Sequence, residues 1–543
     1  MGESSARRKG LALLTLCVAM FMAMLDNVVV NVALPRIGQD LDAGISGLQW
    51  VAEGYSLIYA ALVLTGGALG DRYGRTRMFV LGLALFTAGS AVAALAGTIG
   101  VLVAARMVQG VGAALLTPGS LSLLGHVFTG EAERAKAIGL WSGVSALGLS
   151  VGPVIGGPMV EHLGWSSVFW INVPIGVAGV VLAAKVLPVI PPRARRIDYG
   201  GFALSSAGLG LLVYALIEGA SRGWTSTVVL GCGTAGVLLL VAFLALELRL
   251  AEPMLELGLF RDGGLGGALL GAFMVSFGMF GALFFLPLMM QGVLGWSPSG
   301  AGYGGLPMTA MLVIAGPLSG RLAGRYGPRL PMVAGLVLCA VGLGGLSLYG
   351  DHAHYDAYLW TLFTMGFGMG LTFTPISVAV LQRVAPVQMG MASATINTLR
   401  ELGGVFGIAV LGAVLTSRMT EELTSSLHRL GISPESVGSI ADAPAGGAHG
   451  AGTAAVALPA PVQQAVDGAF VDGIHLALRS GSVALAVTAV LVAVLLGRAT
   501  RLQHDPDPES GAQAESESES GNGGSSDRPN PQAQQEQPEA APA

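Results

Sequence analysis

Fourteen long apolar runs follow one another along the chain, near 11–34, 48–69, 78–97, 99–124, 136–159, 167–187, 200–219, 228–248, 265–289, 301–322, 331–349, 357–381, 393–416 and 478–497. Each supplies the ~20 residues that an α-helix needs to cross a bilayer core of about 30 Å. No other feature restricts the fold as much. Backbone inside hydrocarbon must satisfy its own N–H and C=O groups, which leaves helices for runs of this length. Only 11% of the residues are charged and 52% are hydrophobic, against about 25% charged in soluble domains. An all-α, multi-pass membrane protein follows. The first run exceeds the roughly 7–15 residue core of a secretory signal, so it reads as a retained helix behind a short N-terminus, 1–10. Arg7-Arg8 also fits a twin-arginine signal, a reading that the length of the first span and the spans after it disfavour.

Charge sets the orientation. With the N-terminus in the cytoplasm, 21 of the 28 Lys and Arg residues fall in inner loops or termini. Five lie outside (Arg36, Arg222, Arg418, Arg429, Arg479), and Arg106 and Arg400 lie within spans. This is the positive-inside bias, and it places both termini in the cytoplasm. One helix more or fewer would put the basic clusters near 193–196 and 321–329 on different sides. The formal charge of −5 belongs to the tail, because residues 503–543 hold nine acidic residues and one arginine. That tail has too few apolar residues to fold and is expected to be a disordered cytoplasmic appendage.

The segment Gly67-Ala68-Leu69-Gly70-Asp71-Arg72-Tyr73-Gly74-Arg75 returns 253 residues later as Gly320-Arg321-Leu322-Ala323-Gly324-Arg325-Tyr326-Gly327-Pro328. Two related halves are implied, as in transporters whose halves rock about a central site. The expected organisation is a six-helix bundle over 11–187, an inserted helix pair over 198–248 and a second six-helix bundle over 264–497. A long outer loop, 418–477, is Ala/Gly/Pro-rich from Asp442 to Pro461 and reads as flexible there with helical ends. Cys17, Cys232 and Cys339 all fall in apolar runs and read as packing residues, not as a disulfide or metal set.

A charge at the bilayer centre costs at least about 2.5–3.5 kcal/mol, so ionisable residues there are functional candidates. Asp26, Glu53 and Arg106, in the first, second and fourth spans, lie at a similar depth in the outer half and could form one cluster. Arg400 and Glu401 lie in the inner half of the thirteenth span. As sequence neighbours they project about 100° apart and each needs a different partner. Burial and a nearby arginine act on a carboxylate's proton affinity in opposite senses, so movement of Asp26 relative to Arg106 or to water can load or release a proton. The plainer alternative is that these charges are structural ion pairs between helices, or, for Glu53, a solvated residue near the rim.

These residues resemble the fourteen-span drug:proton antiporter family within the major facilitator superfamily, from about Leu11 to Arg498. Leu25-Asp26-Asn27-Val28-Val29-Val30-Asn31-Val32-Ala33-Leu34-Pro35 is similar to the family's LDxTIVNVALP, with Val28 in place of the usual threonine. The loop with Gly67, Asp71, Arg72, Gly74, Arg75 and Arg77 is similar to its inner-gate motif, with Gly70 and Thr76 departing from the usual alanine and lysine. Arg106-Met107-Val108-Gln109-Gly110-Val111-Gly112 resembles the RxxQGxG element, whose arginine the family is thought to use in proton transfer. Gly148, Gly152, Pro153, Gly156 and Gly157 resemble the GPxxGG signature associated with exporters. Asn397, Arg400 and Glu401 match the family's polar set in the thirteenth span only loosely.

The resemblance implies the major facilitator fold, two six-helix bundles plus two inserted helices, and proton-coupled antiport of amphiphilic drugs or antibiotics by alternating access. Asp26, Glu53, Arg106 and Asn31 would then serve proton coupling or substrate binding, with Asn397, Arg400 and Glu401 beside them. Independently of it, glycines four residues apart at 148, 152 and 156 make a smooth stripe for a neighbouring helix, and Pro153 bends its own helix. A uniporter or importer of a small metabolite remains the main alternative. A membrane-embedded enzyme is weaker: Gly148-Leu149-Ser150-Val151-Gly152 fits G-x-S-x-G but lies in an apolar helix with no histidine mid-span. Lys9, Lys136 and Lys185 are the only lysines and none sits in a phosphate-binding loop, which excludes an ATP-driven pump of that type. Single charges scattered over many helices do not make a channel filter. No cofactor, metal or nucleic acid is expected; the partners are an amphiphilic solute, protons and lipid, with a monomer in a bacterial plasma membrane. The bacterial source rests on the Ala/Gly/Arg bias of the composition.

Overall fold

The computed structural model describes residues 2–191, 198–250, 262–349, 355–384, 389–430 and 459–502. The middle of the long outer loop, the arginines near 193–196 and the acidic tail lie outside them. Every regular element among the described residues is a helix. The first half holds α1 (Gly2–Asp40), α2 (Ile45–Tyr73), α3 (Arg75–Ala94), α4 (Ile99–Val127), α5 (Glu131–Leu163), α6 (Ser167–Trp170) and α7 (Asn172–Val186). An inserted pair follows, α8 (Tyr199–Arg222) and α9 (Thr227–Glu247). The second half holds α10 (Gly263–Gly292), α11 (Pro298–Gly304), α12 (Leu306–Tyr326), α13 (Arg329–Leu346), α14 (Tyr355–Leu381), α15 (Met389–Arg429) and α16 (Ala460–Leu502). Among the described residues thirteen helices, broken ones counted once, are long and apolar enough to span a membrane, and fourteen when the bent α2 is included.

Local chemistry explains the starts, stops and bends. Asp198, Asp262 and Ser297 accept from the backbone N–H groups of Gly201, Gly264 and Gly300, capping α8, α10 and α11. α2 bends by 55° between Val63 and Thr65, just before Gly66-Gly67, where two residues without side chains weaken the helix. The internal repeat is also a repeat of geometry. Gly74 (φ 100°) separates α2 from α3, and Gly327 (φ 79°) separates α12 from α13. Beside them Arg72 lies 5.6 Å from the ring centre of Tyr73, and Arg325 5.3 Å from that of Tyr326.

Two spans read as single runs are broken: 167–187 divides at Ile171 into α6 and α7, and 301–322 divides at Gly305 into α11 and α12. The expected helical ends of the outer loop are present: α15 runs on to Arg429, and α16 begins at Ala460, ahead of the span expected over 478–497. The first turns of α16 carry Gln463, Gln464, Asp467 and Asp472, which keep their mean hydropathy below that of a span while Val462, Phe470 and Ile474 form a buried stripe. At 1.5 Å per residue, α15 and α16 are each roughly 60 Å long, twice the bilayer core. Their surplus turns pack on each other beyond the end opposite the N-terminus, with Met419, Leu423 and Leu427 buried against that stripe.

The halves are held together toward this far end. Gln49 of α2 donates to the Ile408 carbonyl of α15 (3.1 Å), Gln291 of α10 to the Val32 carbonyl of α1 (2.9 Å), and the Ser299 N–H of α11 to Glu161 of α5 (3.1 Å). α5 and α11 touch backbone to backbone, since a side chain added at Gly157 would strike the Pro298 carbonyl and one at Gly302 the Pro153 carbonyl. Toward the N-terminal end, Asn397 of α15 is exposed and Arg400 and Glu401 are half-buried. Among the described residues, the hydrogen bonds that cross between the halves lie at the far end.

Candidate functional site

Inside the first half, six helices converge on one charge pair. Asp26 of α1 and Arg106 of α4 are both fully buried and form an ion pair through Oδ2 and Nη1. The other carboxylate oxygen, Oδ1, accepts from Asn172 of α7 (2.7 Å) and Gln109 of α4 (3.1 Å). Gln109 also donates to Ser90 of α3 (2.7 Å) and accepts from Arg106 (3.0 Å). The Nε of Arg106 donates to the Val51 carbonyl of α2 (3.1 Å). Its guanidinium lies 4.8 Å from the ring centre of Tyr55 and 5.9 Å from that of Phe169 on α6, within reach of both π faces. A paired, hydrogen-bonded charge tolerates such burial where a lone one does not. With three donors from two other helices on one carboxylate, any shift of α4 or α7 relative to α1 changes what holds its charge.

Asn172 was not singled out in the sequence, and neither was Ser90; Gln109 stood inside a quoted motif without a role of its own. A signal for Asn172 exists. The break at Ile171 leaves Asn172 as the first residue of α7, with Pro174 two places on, a place where proline is tolerated and a side chain can turn inward.

Glu53 does not join the cluster expected from its depth. It too is fully buried, but both carboxylate oxygens lack a hydrogen-bond partner among the described residues. Depth along a helix was legible and direction was not: Gly54 faces α4, against Val103 and Arg106, so Glu53, one residue and about 100° earlier, points elsewhere. Arg400 and Glu401 do not pair with each other; Arg400 packs instead over the ring of Phe373 on α14, 4.1 Å from its centre. Asn31 is buried five residues beyond Asp26, and Asn397 is exposed.

The glycine-rich stretch of α5 lies on the Asp26 segment of α1. A side chain at Gly148 would meet the Phe21 carbonyl (2.8 Å), while Gly152 lies against Val28 and Leu25, and Gly156 against Val29. Gly157, on a different face, touches α11 of the second half. One helix therefore connects the Asp26 environment to the seam between halves. In the loop at the N-terminal end, Asp71 and Arg75 pair one turn apart (2.6 Å), and the Thr76 hydroxyl donates to the Pro188 carbonyl (2.5 Å). Gly67 sits at the end of the bend in α2, and Arg77 lies in the first turn of α3. Among the described residues no group of three or more His, Cys, Asp or Glu side chains could hold a metal ion.

Two helical bundles with a repeated loop, and a buried charge cluster in one of them, are the features of a multi-pass membrane transporter built from two related halves. Residues 16–408 match the model of the Major Facilitator Superfamily. The chain belongs to that superfamily, among its drug-efflux members. It is 38% identical over 427 residues to the multidrug resistance protein Stp of Mycobacterium tuberculosis, covering 78% of this chain and 79% of that one. It is 35% identical over 494 residues to the tetracenomycin C resistance and export protein of Streptomyces glaucescens, covering 88% and 90%. Among solved structures it is similar to a bacterial homologue of the human lysosomal transporter Spinster in an inward-facing, occupied conformation, with a TM-score of 0.62, 18% identity, and 91% and 98% of the two chains covered. That last likeness concerns the fold alone.

Proposed function

We propose that this protein exports amphiphilic drugs or antibiotics across a bacterial plasma membrane by proton-coupled antiport, with both termini in the cytoplasm. The names of its relatives support the cargo class. The observation that carries the coupling is the Asp26 cluster: a fully buried carboxylate whose partners come from other helices, on the stretch of α1 against which α5 packs glycine to side chain. Rocking that moves α5 at the seam alters the setting of Asp26, and a changed setting binds or releases a proton. In this reading the cytoplasmic end admits substrate to a space between the halves, bordered by Asn397, Arg400 and Glu401. A lone charge on Glu53 is costly where it stands. Each inward proton contributes about 2.3 kcal/mol per 100 mV, enough for roughly a fifty-fold substrate gradient.

The test is dye export into inside-out vesicles with simultaneous lumenal pH recording, comparing the intact protein with Asp26→Asn over cationic and neutral dyes. Substrate-dependent proton release from the lumen, lost in the variant, supports the antiporter. Transport that persists without proton movement in both proteins would make this a uniporter and Asp26 a structural residue.

A further inference from the structure

The inserted pair stands between the two halves and touches them differently. On the α2 side, apolar packing at Leu57 is joined by directional contacts. Glu218 of α8 accepts from Ser46 (2.9 Å) and Trp50 (3.3 Å), one turn apart on α2, while its other oxygen accepts from Arg222 (2.7 Å). One turn back along α8, Tyr214 packs on the Trp50 ring at 6.2 Å between centroids. On the α15 side the contacts are apolar: Leu209, Val213 and Ile217 of α8 are buried with Val405 and Ala409 of α15. The exception lies beyond the far end of α8, where the Trp224 indole donates to the Ser417 hydroxyl at 3.2 Å in an exposed position. Hydrogen bonds to a carboxylate fix register, whereas apolar contact is non-directional and lets one helix slide along another.

We propose that Glu218 is a positioning residue that fixes the α8–α9 pair to α2, so that the pair travels with the first half, slides along α15 and keeps the α2–α15 seam covered against lipid throughout transport. The Trp224–Ser417 contact is then made only when the far end is closed. With one seam always covered, a membrane-dissolved substrate reaches the central space sideways between α5 and α12 alone. This consequence rests on the export reading; the movement of the pair does not.

The test uses the full chain with Cys17, Cys232 and Cys339 replaced by serine, and two cysteine pairs bridged by a short bifunctional thiol reagent. In S46C/E218C the bridge replaces the carboxylate link, so transport of a cationic dye should rise on bridging relative to the same variant unbridged. In W224C/S417C the bridge pins the pair to α15 and should slow transport roughly tenfold or more, reversibly on cleavage of the bridge. The reverse pattern would assign the pair to the second half, and equal effects of both bridges would overturn the proposal. Glu218→Gln, which keeps an acceptor for Ser46 and Trp50, should transport better than Glu218→Leu, a difference that general loss of packing would not produce. If the cysteine-free parent moves no dye, the export reading is at fault. The proposal is then read from maleimide labelling of a cysteine placed at Asn397: the 224–417 bridge should hold it at its fastest rate, and the 46–218 bridge should leave its rate near that of the parent.

Discussion

Replacing Asp26 by asparagine leaves the shape of the site nearly unchanged and removes the charge that balances Arg106. Arg106 is fully buried, with its Nη2 already lacking a hydrogen-bond partner among the described residues. Losing its counter-charge strands a cation among Tyr55, Phe169 and the backbone. Breaking a buried pair in this way costs about 3–5 kcal/mol. Hydrogen bonds to a charged acceptor contribute about 1.5–3 kcal/mol each, so weakening the Asn172 and Gln109 contacts alone accounts for a similar sum. The double variant Asp26→Asn with Arg106→Gln strands no charge. Its loss should therefore fall short of the sum of the two single losses by about 2–3 kcal/mol, the upper range for residues in contact. Unfolding in mixed detergent micelles, followed by tryptophan fluorescence, gives all four corners of this cycle. A single variant within about 0.5 kcal/mol of the parent, or a strictly additive double variant, would refute the claim that the pair is charged and mutually dependent in this state.

Other outcomes follow from the same contacts. Gly152→Leu drives a side chain into Val28 and should cost about 1–3 kcal/mol by overpacking, abolishing dye export while the protein still inserts; Gly139→Leu, with nothing within 4 Å, should be tolerated in the same assay. Glu161→Ala removes the carboxylate that meets the Ser299 N–H across the far-end seam. Because that contact is exposed, the shift toward the outward-open form should be no more than about fivefold, read by labelling of a cavity cysteine from the far side. Gly74→Ala and Gly327→Ala should each cost about 1–3 kcal/mol, since both glycines hold backbone angles that side chains disfavour; similar falls in apparent Tm for the two would show the halves using one hinge design.

The sequence made the spans legible because a bilayer imposes length and apolarity. It made the depth of each intramembrane charge legible because helical rise is constant. Rotation about the helix axis was not legible: at about 100° per residue, a one-residue difference in facing separates Glu53 from the cluster that Asp26 and Arg106 share. Asn172 stayed hidden because Pro174, the one sign of a helix start nearby, does not show that the run breaks at Ile171 and turns Asn172 inward. The glycine stripe of α5 announced a close neighbour but not which one, and α1 was identified only by the packing of Val28 and Val29 against it. Nothing in 198–248 says that α8 lies between α2 and α15, since apolar residues that face lipid and those that face another helix are chemically alike.

The backbone contact of Gly157 and Gly302 with the opposite half also has a mechanical meaning. In the alternating-access reading, α5 and α11, with no side chains between them, meet at a fulcrum near one end of a lever about as long as the membrane is thick. Over an arm of about 30 Å, turning one half by roughly 10° parts the other end by about 5 Å, the width of an aromatic ring. A bulkier residue at either glycine would do more than loosen a joint: it would move the pivot, and with it the largest solute that the mouth can admit.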